Sequence, residues 1–133
     1  MRERCLEVAA HKTELLVVRG ARNVEDFRLN KMGEEVKPSK ELKYLGVIFQ
    51  RNLSFSKHIE HSVQRASEKL AAISRLMPNI SGPSYAKRRV LCGVTHSILL
   101  YAVPVWRETL KQKKQLDQMT SLQRRSLFRT VSA

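Results

Sequence analysis

The sequence predicts an α+β fold in which short antiparallel strands and a hairpin precede a bundle of about three helices. Two observations predict this class. Residues 1–53 contain short apolar runs that are rich in β-forming side chains and broken by Gly and Pro. From Phe55 onward, apolar residues instead recur every three or four positions, which is the period of a helix. The 133 residues leave room for one domain or part of a larger one, divided near residue 53.

The first strands are expected between residues 13 and 39. Residues 13–19 (TELLVVR) form an apolar run that ends at Gly20 and predicts a buried strand. Residues 27–36 predict a hairpin in which Gly33 takes the positive φ of a tight turn, and Pro38 should end it. Before these strands, residues 1–11 place apolar side chains on one side at helical spacing and predict the end of a helix.

The strongest strand is predicted at residues 42–50 (LKYLGVIFQ). Its residues are apolar on both alternating faces, so both faces are expected to be covered. Leu42, Tyr44 and Ile48 would share one face. Gly46 within the run would allow a close backbone approach or mark a bulge.

The first helix is predicted from Phe55, with Ser54 or Ser56 as its cap and its end before Pro78. Its apolar stripe consists of Ile59, Val63, Ala66, Leu70 and Ile73.

The second helix is expected to follow a cap at Ser81, with Pro83 in its first turn and Pro104 at its end or at a kink. Its predicted stripe consists of Leu91, Val94, Ile98, Tyr101 and Val105. A third helix is predicted from about Gln112, with a less regular stripe consisting of Leu116, Met119, Leu122, Leu127 and Val131.

Net charge is the most informative bulk property. The chain has 25 basic and 12 acidic residues, a net charge of +13, and residues 61–133 hold 13 of the basic but only 3 of the acidic ones. A polyanion such as nucleic acid is therefore the expected partner of the C-terminal part. The alternative is a solvated basic surface without a specific ligand.

The residues that carry catalysis or bind metal in other proteins are sparse and scattered. The two aspartates, Asp26 and Asp117, are far apart, so no acidic metal cluster is expected. His58 and His61 have the i, i+3 spacing of a metal-binding pair but no third ligand, and an exposed polar helix face is the favoured interpretation. His96 is expected to be a hydrogen-bonded core residue.

The compartment is expected to be intracellular, in the cytoplasm and nucleus. Cys5 and Cys92 are the only cysteines, which gives no disulfide framework and favours a reducing environment. Residues 1–10 contain no apolar leader segment. Residues 90–106 come nearest to a membrane span, but they are short and interrupted by polar residues, so no membrane partner is expected.

Several strings of the sequence resemble the reverse transcriptase (RNA-directed DNA polymerase) of non-LTR retrotransposons, of the LINE-type, jockey-like class found in insects. In order along the chain, they are His11-Lys12-Thr13-Glu14, Lys43-Tyr44-Leu45-Gly46-Val47, Leu53-Ser54-Phe55 with His58-Ile59, Arg75-Leu76-Met77-Pro78-Asn79, Gly82-Pro83, His96-Ser97-Ile98-Leu99-Leu100-Tyr101 and Pro104-Val105-Trp106. Their order and spacing match over essentially the whole chain, which makes the resemblance more specific than any one string.

The resemblance implies a role for each part of the chain. Residues 1–53 would be the end of the palm, with Lys12 as a lysine that assists nucleotide addition. Tyr44, Leu45, Gly46 and Val47 would be the primer grip, the hairpin that holds the 3′ end of the growing strand. Residues 54–133 would be the helical thumb, which packs on the template–primer duplex. The resemblance makes five residues candidate phosphate contacts: Arg65, Lys69, Lys87, Arg88 and Arg89.

The chain departs from this family because nothing in it corresponds to the fingers or to the strand with the Asp-Asp turn. The metal-binding aspartates are therefore missing, and the segment is expected to be inactive alone. Mg²⁺ is expected for the parent enzyme and no cofactor for this segment. The expected partners are an RNA template with its DNA primer and the remaining palm and fingers. Two alternatives stay open: a stand-alone basic nucleic-acid-binding protein from a decayed element, and a helix-mediated interaction protein.

Overall fold

The computed structural model describes residues 12–18, 28–31, 33–76 and 84–131. Short strands precede helices along the chain, which confirms the predicted α+β class. The chain divides into two compact units, Met1–Leu53 and Ser54–Ala133. We call them the N-terminal and the C-terminal unit.

The N-terminal unit contains three pairs of short strands within its described residues. β1 (Leu15–Leu16) pairs in parallel with β4 (Pro38–Ser39), and β2 (Leu29–Lys31) pairs with β3 (Glu34–Val36) in the predicted hairpin. Gly33 has the positive φ expected of it, at 88°. The strand predicted at residues 13–19 is only two residues long. The β2–β3 hairpin ends at Val36, before Pro38, as predicted, and Pro38 begins the separate strand β4. Proline lacks an N–H group but still accepts hydrogen bonds, so it fits a short strand with one partner.

The single strand predicted at residues 42–50 is wrong. The run forms a hairpin of β5 (Glu41–Tyr44) and β6 (Val47–Gln50), with Leu45 and Gly46 as its two-residue turn. The predicted faces change accordingly, because cross-strand partners share a face. Leu42 is opposite Phe49, and the predicted companion Ile48 belongs to the other face, opposite Lys43.

The first helix, α1 (Ser56–Arg75), follows the predicted period. Ile59, Ala66 and Leu70 are buried, as their spacing predicts. The predicted serine caps are wrong, because Phe55 occupies the N-cap position with φ 51° and no side chain caps the helix.

The second helix, α2 (Tyr85–Leu99), begins after Ser84, while Ser81 and Pro83 lie outside the described residues. Its buried residues are Leu91, Thr95 and Leu99, so the stripe predicted to continue through Tyr101 and Val105 is wrong beyond the helix end, where both side chains are exposed.

Pro104 does not end α2, because the chain turns at Ala102, which has φ 55°. It lies instead in the first turn of α3 (Val103–Trp106). A 3₁₀ segment (Arg107–Lys111) then leads into the last helix.

The last helix, α4 (Lys113–Val131), confirms the helix predicted from about Gln112. Met119 and Leu122 are buried, while Leu116, Leu127 and Val131 are exposed although the spacing placed them in the stripe. Together, α1, α2 and α4 pack against one another and enclose the core of the C-terminal unit.

Buried polar groups hold the start of α1 in this core. The Thr109 hydroxyl donates a hydrogen bond to the Ser54 carbonyl at 2.9 Å, and the Gln115 side-chain amide donates one to the Ser56 hydroxyl at 3.2 Å. Thr109 and Gln115 are both buried. These contacts fix the N-terminal end of α1 where a side-chain cap is missing.

The interpretation of His58 as part of an exposed face is wrong. His58 is 2% exposed and lies beside Trp106, whose indole N–H donates a hydrogen bond to the Tyr101 carbonyl at 2.8 Å. His58 is also hydrogen-bonded to the Tyr101 backbone. Only His61 of the pair is exposed.

No single helix in the described part of the chain combines the length and the apolar character of a membrane span. The helical segments Tyr85–Leu99 and Val103–Lys111 meet that criterion only together, and they are bent by 46°.

Candidate nucleic-acid interface

The tip of the β5–β6 hairpin brings together the four residues predicted as a primer grip. Tyr44 pairs with Val47 across the hairpin, and Leu45 and Gly46 connect them with φ angles of 48° and 81°. Positive φ at both turn residues is the pattern of the tight turns that suit the twist of a β-hairpin. The pattern of apolar residues predicted only a bulge or a close approach at Gly46, whereas the family resemblance implied a hairpin at this place.

The side chains of the tip differ strongly in exposure. Tyr44 is 61% and Leu45 74% exposed, whereas Val47 is 4% exposed. Leu45 adopts the left-handed backbone conformation, which destabilises a residue that has a side chain by about 1 kcal/mol or more. The tip therefore carries an exposed aromatic ring and an exposed apolar side chain on a turn anchored by buried Val47.

Lys12 lies in the same unit, three residues before β1, and its side chain is exposed. None of the described residues forms an ion pair with it. Its suggested part in nucleotide addition stays a prediction.

Two of the predicted phosphate contacts, Arg65 and Lys69, lie one turn apart on α1 and are both exposed. A groove of about 450 Å³ runs along a different side of α1, where Val63 and Ala71 line it together with Gln118 of α4. Residues advance by about 100° along a helix, so Arg65 and Lys69 point away from the groove's centre. The groove lining includes Glu60 and Glu68 but no cation.

The basic triplet Lys87, Arg88 and Arg89 spreads around the first turn of α2. Lys87 and Arg89 are exposed, while Arg88 between them is half-buried. Lys87 and Arg89 point in directions about 160° apart because two residues advance a helix by about 200°. The triplet therefore offers cations on two sides of α2 rather than one cluster.

Several other cations are already paired with carboxylates. The Glu108 carboxylate forms an ion pair with Lys111, and the Arg107 guanidinium lies 3.8 Å from the same carboxylate. The Lys114 ammonium lies 3.8 Å from the Glu60 carboxylate. The hydrogen bond and charge of Lys111 lower the pKa of Glu108, which keeps this carboxylate ionised. By contrast, Arg65, Lys69, Lys87 and Arg89 form no ion pair with any described residue.

No group of three potential metal ligands occurs among the described residues. Asp26 lies outside them, and Asp117 is exposed on α4. The Cys92 sulfur is 3.8 Å from the His96 ring nitrogen Nδ1, one turn along α2. His96 is half-buried, and the Cys92 sulfur is also 3.9 Å from its other ring nitrogen, Nε2.

The chain is similar to two proteins of insect retrotransposable elements. It is 27% identical over 98% of its length to the "Retrovirus-related Pol polyprotein from type-1 retrotransposable element R1" of Nasonia vitripennis. It is 27% identical over 96% of its length to the "Putative 115 kDa protein in type-1 retrotransposable element R1DM" of Drosophila melanogaster.

The chain spans only part of these relatives, 42% of the first and 12% of the second. No family model matches it, and no solved structure does. The two similarities, over nearly the whole chain, support a retrotransposon-derived protein.

Proposed function

We propose that this chain is the part of a retrotransposon reverse transcriptase that holds the template–primer duplex during RNA-templated DNA synthesis. The observation that carries the proposal is the tip of the β5–β6 hairpin, where Tyr44 and Leu45 are exposed on a tight turn. Similarity to a Pol polyprotein over 98% of the chain supports the choice of polymerase over other nucleic-acid-binding proteins.

In this proposal the N-terminal unit is the end of the palm and the hairpin tip is its primer grip. Gly46 has no side chain, so the sugar–phosphate backbone can approach the turn closely. The Tyr44 ring and the Leu45 side chain offer apolar surface to the sugars and bases of the primer end. Buried Val47 anchors the turn, so these contacts keep a fixed position.

The C-terminal unit acts as the thumb, whose cations contact phosphates of the duplex. Arg65 and Lys69 form the better pair of contacts, because they are exposed on one side of α1 and unpaired within the described residues. Lys87, Arg88 and Arg89 contribute from α2, with Lys87 and Arg89 on different sides. These contacts position the duplex without reading its sequence.

The partners are the RNA template, the DNA primer and the rest of the polymerase, which supplies the residues that bind Mg²⁺. The chain alone should not extend a primer, because two-metal catalysis needs clustered carboxylates and Asp26 and Asp117 are far apart in the sequence. The protein works inside the cell, in the cytoplasm and the nucleus.

A stand-alone basic nucleic-acid-binding protein is the second candidate. It is favoured by the C-terminal unit, which encloses its own buried core and carries most of the excess charge. The two candidates differ in one property: a primer grip prefers a 3′ end, whereas a purely basic surface binds duplex anywhere along its length.

The test compares binding to an RNA–DNA hybrid with a recessed DNA 3′ end and to the same hybrid with that end sealed in a loop. The informative variant is Leu45→Asn, because asparagine tolerates positive φ and keeps the turn while it removes the apolar side chain. Its matched control is Leu53→Asn, which replaces another leucine with positive φ that is 45% exposed but lies outside the tip.

We expect the wild-type chain and Leu53→Asn to prefer the recessed end and Leu45→Asn to lose this preference. Both variants should stay folded, which circular dichroism checks. Equal binding of wild-type protein to the two hybrids would favour the second candidate, and no binding to either would contradict both.

A further inference from the structure

Helix α2 has an exposed side that is free of charge, opposite the side that packs in the core. Ala86, Val90, Gly93 and Ser97 of α2 and its C-cap residue Leu100 follow one another at spacings of four and three, so they lie along one line of the helix. We call this line the outer face of α2. All five are exposed, Val90 by 63% and Leu100 by 57%. The Ser97 hydroxyl donates its hydrogen bond to the Val94 carbonyl at 2.8 Å, so even the polar member of the face is satisfied within the helix.

Gly93 is at the centre of this outer face. Glycine within a helix lowers helix stability relative to alanine. A Cβ atom at Gly93 would have no neighbour within 4 Å among the described residues, so no packing within that part of the chain accounts for the missing side chain. The open position allows the backbone of another helix to come close.

The charges around the outer face indicate what can cover it. Residues 90–106 contain no charged side chain, whereas the chain as a whole carries +13. Two copies of so basic a protein repel each other. The outer face lets two copies meet without bringing cations together along the line of contact.

The two ends of α2 are electrostatically complementary to each other. Lys87 and Arg89 flank the outer face at the N-terminal end, where the first turn has no acidic residue and the helix dipole is positive. In an antiparallel pair these cations lie beside the C-terminal carbonyl groups of the partner helix, where the dipole is negative.

We propose that two copies of this chain associate through the outer faces of α2, packed antiparallel about a twofold axis that passes near Gly93. Gly93 is equidistant in sequence from Ala86 and Leu100, so a twofold axis there places the first residue of one face opposite the last of the other. The face is about 21 Å long at 1.5 Å per residue, and a contact of one helix pair buries less than a standard interface of about 1,200–2,000 Å². The dimer is therefore concentration-dependent.

Sedimentation velocity over a range of protein concentrations tests this proposal. The protein is first freed of nucleic acid by nuclease and high salt and is then returned to physiological salt, because high salt would screen the attraction between the cations and the helix dipole. The informative variant is Gly93→Leu. The free space at Gly93 accommodates the new side chain within the monomer, and leucine favours helix more than glycine, so the melting temperature should rise. The same side chain blocks the close approach of a second helix, so we expect dimerisation to weaken by about tenfold or more.

Ala72→Leu is the matched control, because Ala72 is an exposed small residue on α1, away from α2's outer face. It should leave the dimer unchanged. A wild-type chain that stays monomeric at all concentrations would overturn the proposal, and so would a Gly93→Leu dimer as tight as the wild type. Monomeric protein that co-floats with neutral phosphatidylcholine vesicles would assign the face to a lipid surface and also overturn it.

Discussion

His58 and Trp106 lie side by side in the core of the C-terminal unit, with ring centroids 6.0 Å apart and ring planes inclined at 55°. Both side chains are almost completely buried, at 2% and 1% exposed. His58 belongs to the first turn of α1 and Trp106 to the end of α3, and both are hydrogen-bonded to the Tyr101 backbone. The pair thus joins the start of the bundle to the turn that follows α2.

This contact predicts that the C-terminal unit loses stability in acid. Burial lowers the pKa of His58 below its usual value of 6.5, the charge of His61 lowers it further, and the hydrogen bond to Tyr101 opposes the shift. As the pH drops below 6.5, the unfolded chain takes up a proton at His58 that the folded chain does not, so the free energy of unfolding decreases. The decrease should continue until the pH reaches the lowered pKa of folded His58. Above pH 6.5 the contribution of neutral His58 to stability is fully present.

Urea unfolding followed by Trp106 fluorescence between pH 5 and pH 8 measures this effect. His61→Gln is the control: it removes the smaller cause of the pKa shift, so the acid sensitivity should decrease but persist. Unfolding free energies that do not change across this range would contradict the assignment of His58 as a buried neutral histidine.

Thr109→Val should destabilise the C-terminal unit. The variant keeps the side-chain shape but removes the hydroxyl that donates to the Ser54 carbonyl, and the loss of a buried hydrogen bond costs about 1–2 kcal/mol. Thermal or urea unfolding measures the change. Thr109→Ser retains the hydroxyl and should therefore lose less stability than Thr109→Val. The reverse order would show that the methyl group contributes more to stability than the hydrogen bond does.

Two glycines should respond in opposite directions to the same substitution. A Cβ atom has free space at both Gly33 and Gly93, but Gly33 has φ 88° in a turn and Gly93 lies within α2. Gly33→Ala should destabilise the N-terminal unit by about 1 kcal/mol because alanine is strained at positive φ. Gly93→Ala should stabilise α2 by about 0.5–1 kcal/mol. Hydrogen exchange measured separately in each unit distinguishes the two effects. If both substitutions stabilised, or both destabilised, their units, the result would contradict these backbone conformations.

Arg65 and Lys69 should account for part of the salt dependence of nucleic-acid binding. Each phosphate contact that is removed lowers the slope of log affinity against log salt by about 0.9 on a DNA duplex. Arg65→Gln and Lys69→Gln should each lower this slope, as measured by fluorescence anisotropy. Lys111→Gln is the control, because Lys111 is already paired with Glu108. A Lys111→Gln effect as large as the others would indicate diffuse attraction rather than defined contacts.

The sequence predicts the helices of this fold well and the hairpin tip less well. Apolar spacing locates α1, whose buried side follows the helical period, but it misplaces the buried side of α4, where Gln115 and Ser126 are buried beside Met119 and Leu122. It fails at residues 42–50, since alternation looks the same in one long strand and in two strands joined by a two-residue turn. The resemblance to retrotransposon reverse transcriptases does predict a hairpin at Tyr44–Val47, which agrees with the observed turn.

The polar contacts of the core could not be predicted, because they join residues far apart in the sequence. Thr109 reaches Ser54 across 55 positions, and Gln115 reaches Ser56 across 59. Hydropathy assigns residues such as His58 to the surface, and only the neighbouring Trp106 and the Tyr101 backbone explain its burial. The positions of Lys87 and Arg89 on different sides of α2, by contrast, could have been predicted, because they follow directly from the helical period.

Photocrosslinking from the hairpin tip tests the proposed grip on the primer most directly. A photoreactive phenylalanine analogue in place of Leu45 is irradiated in complex with an RNA template and a DNA primer that has a recessed 3′ end, and the same analogue in place of Leu53 serves as the control. The proposed function predicts crosslinks from position 45 that concentrate on the last nucleotides of the primer and move with its 3′ end when the primer is lengthened. Crosslinks spread evenly along the duplex, or equal crosslinking from position 53, would contradict it.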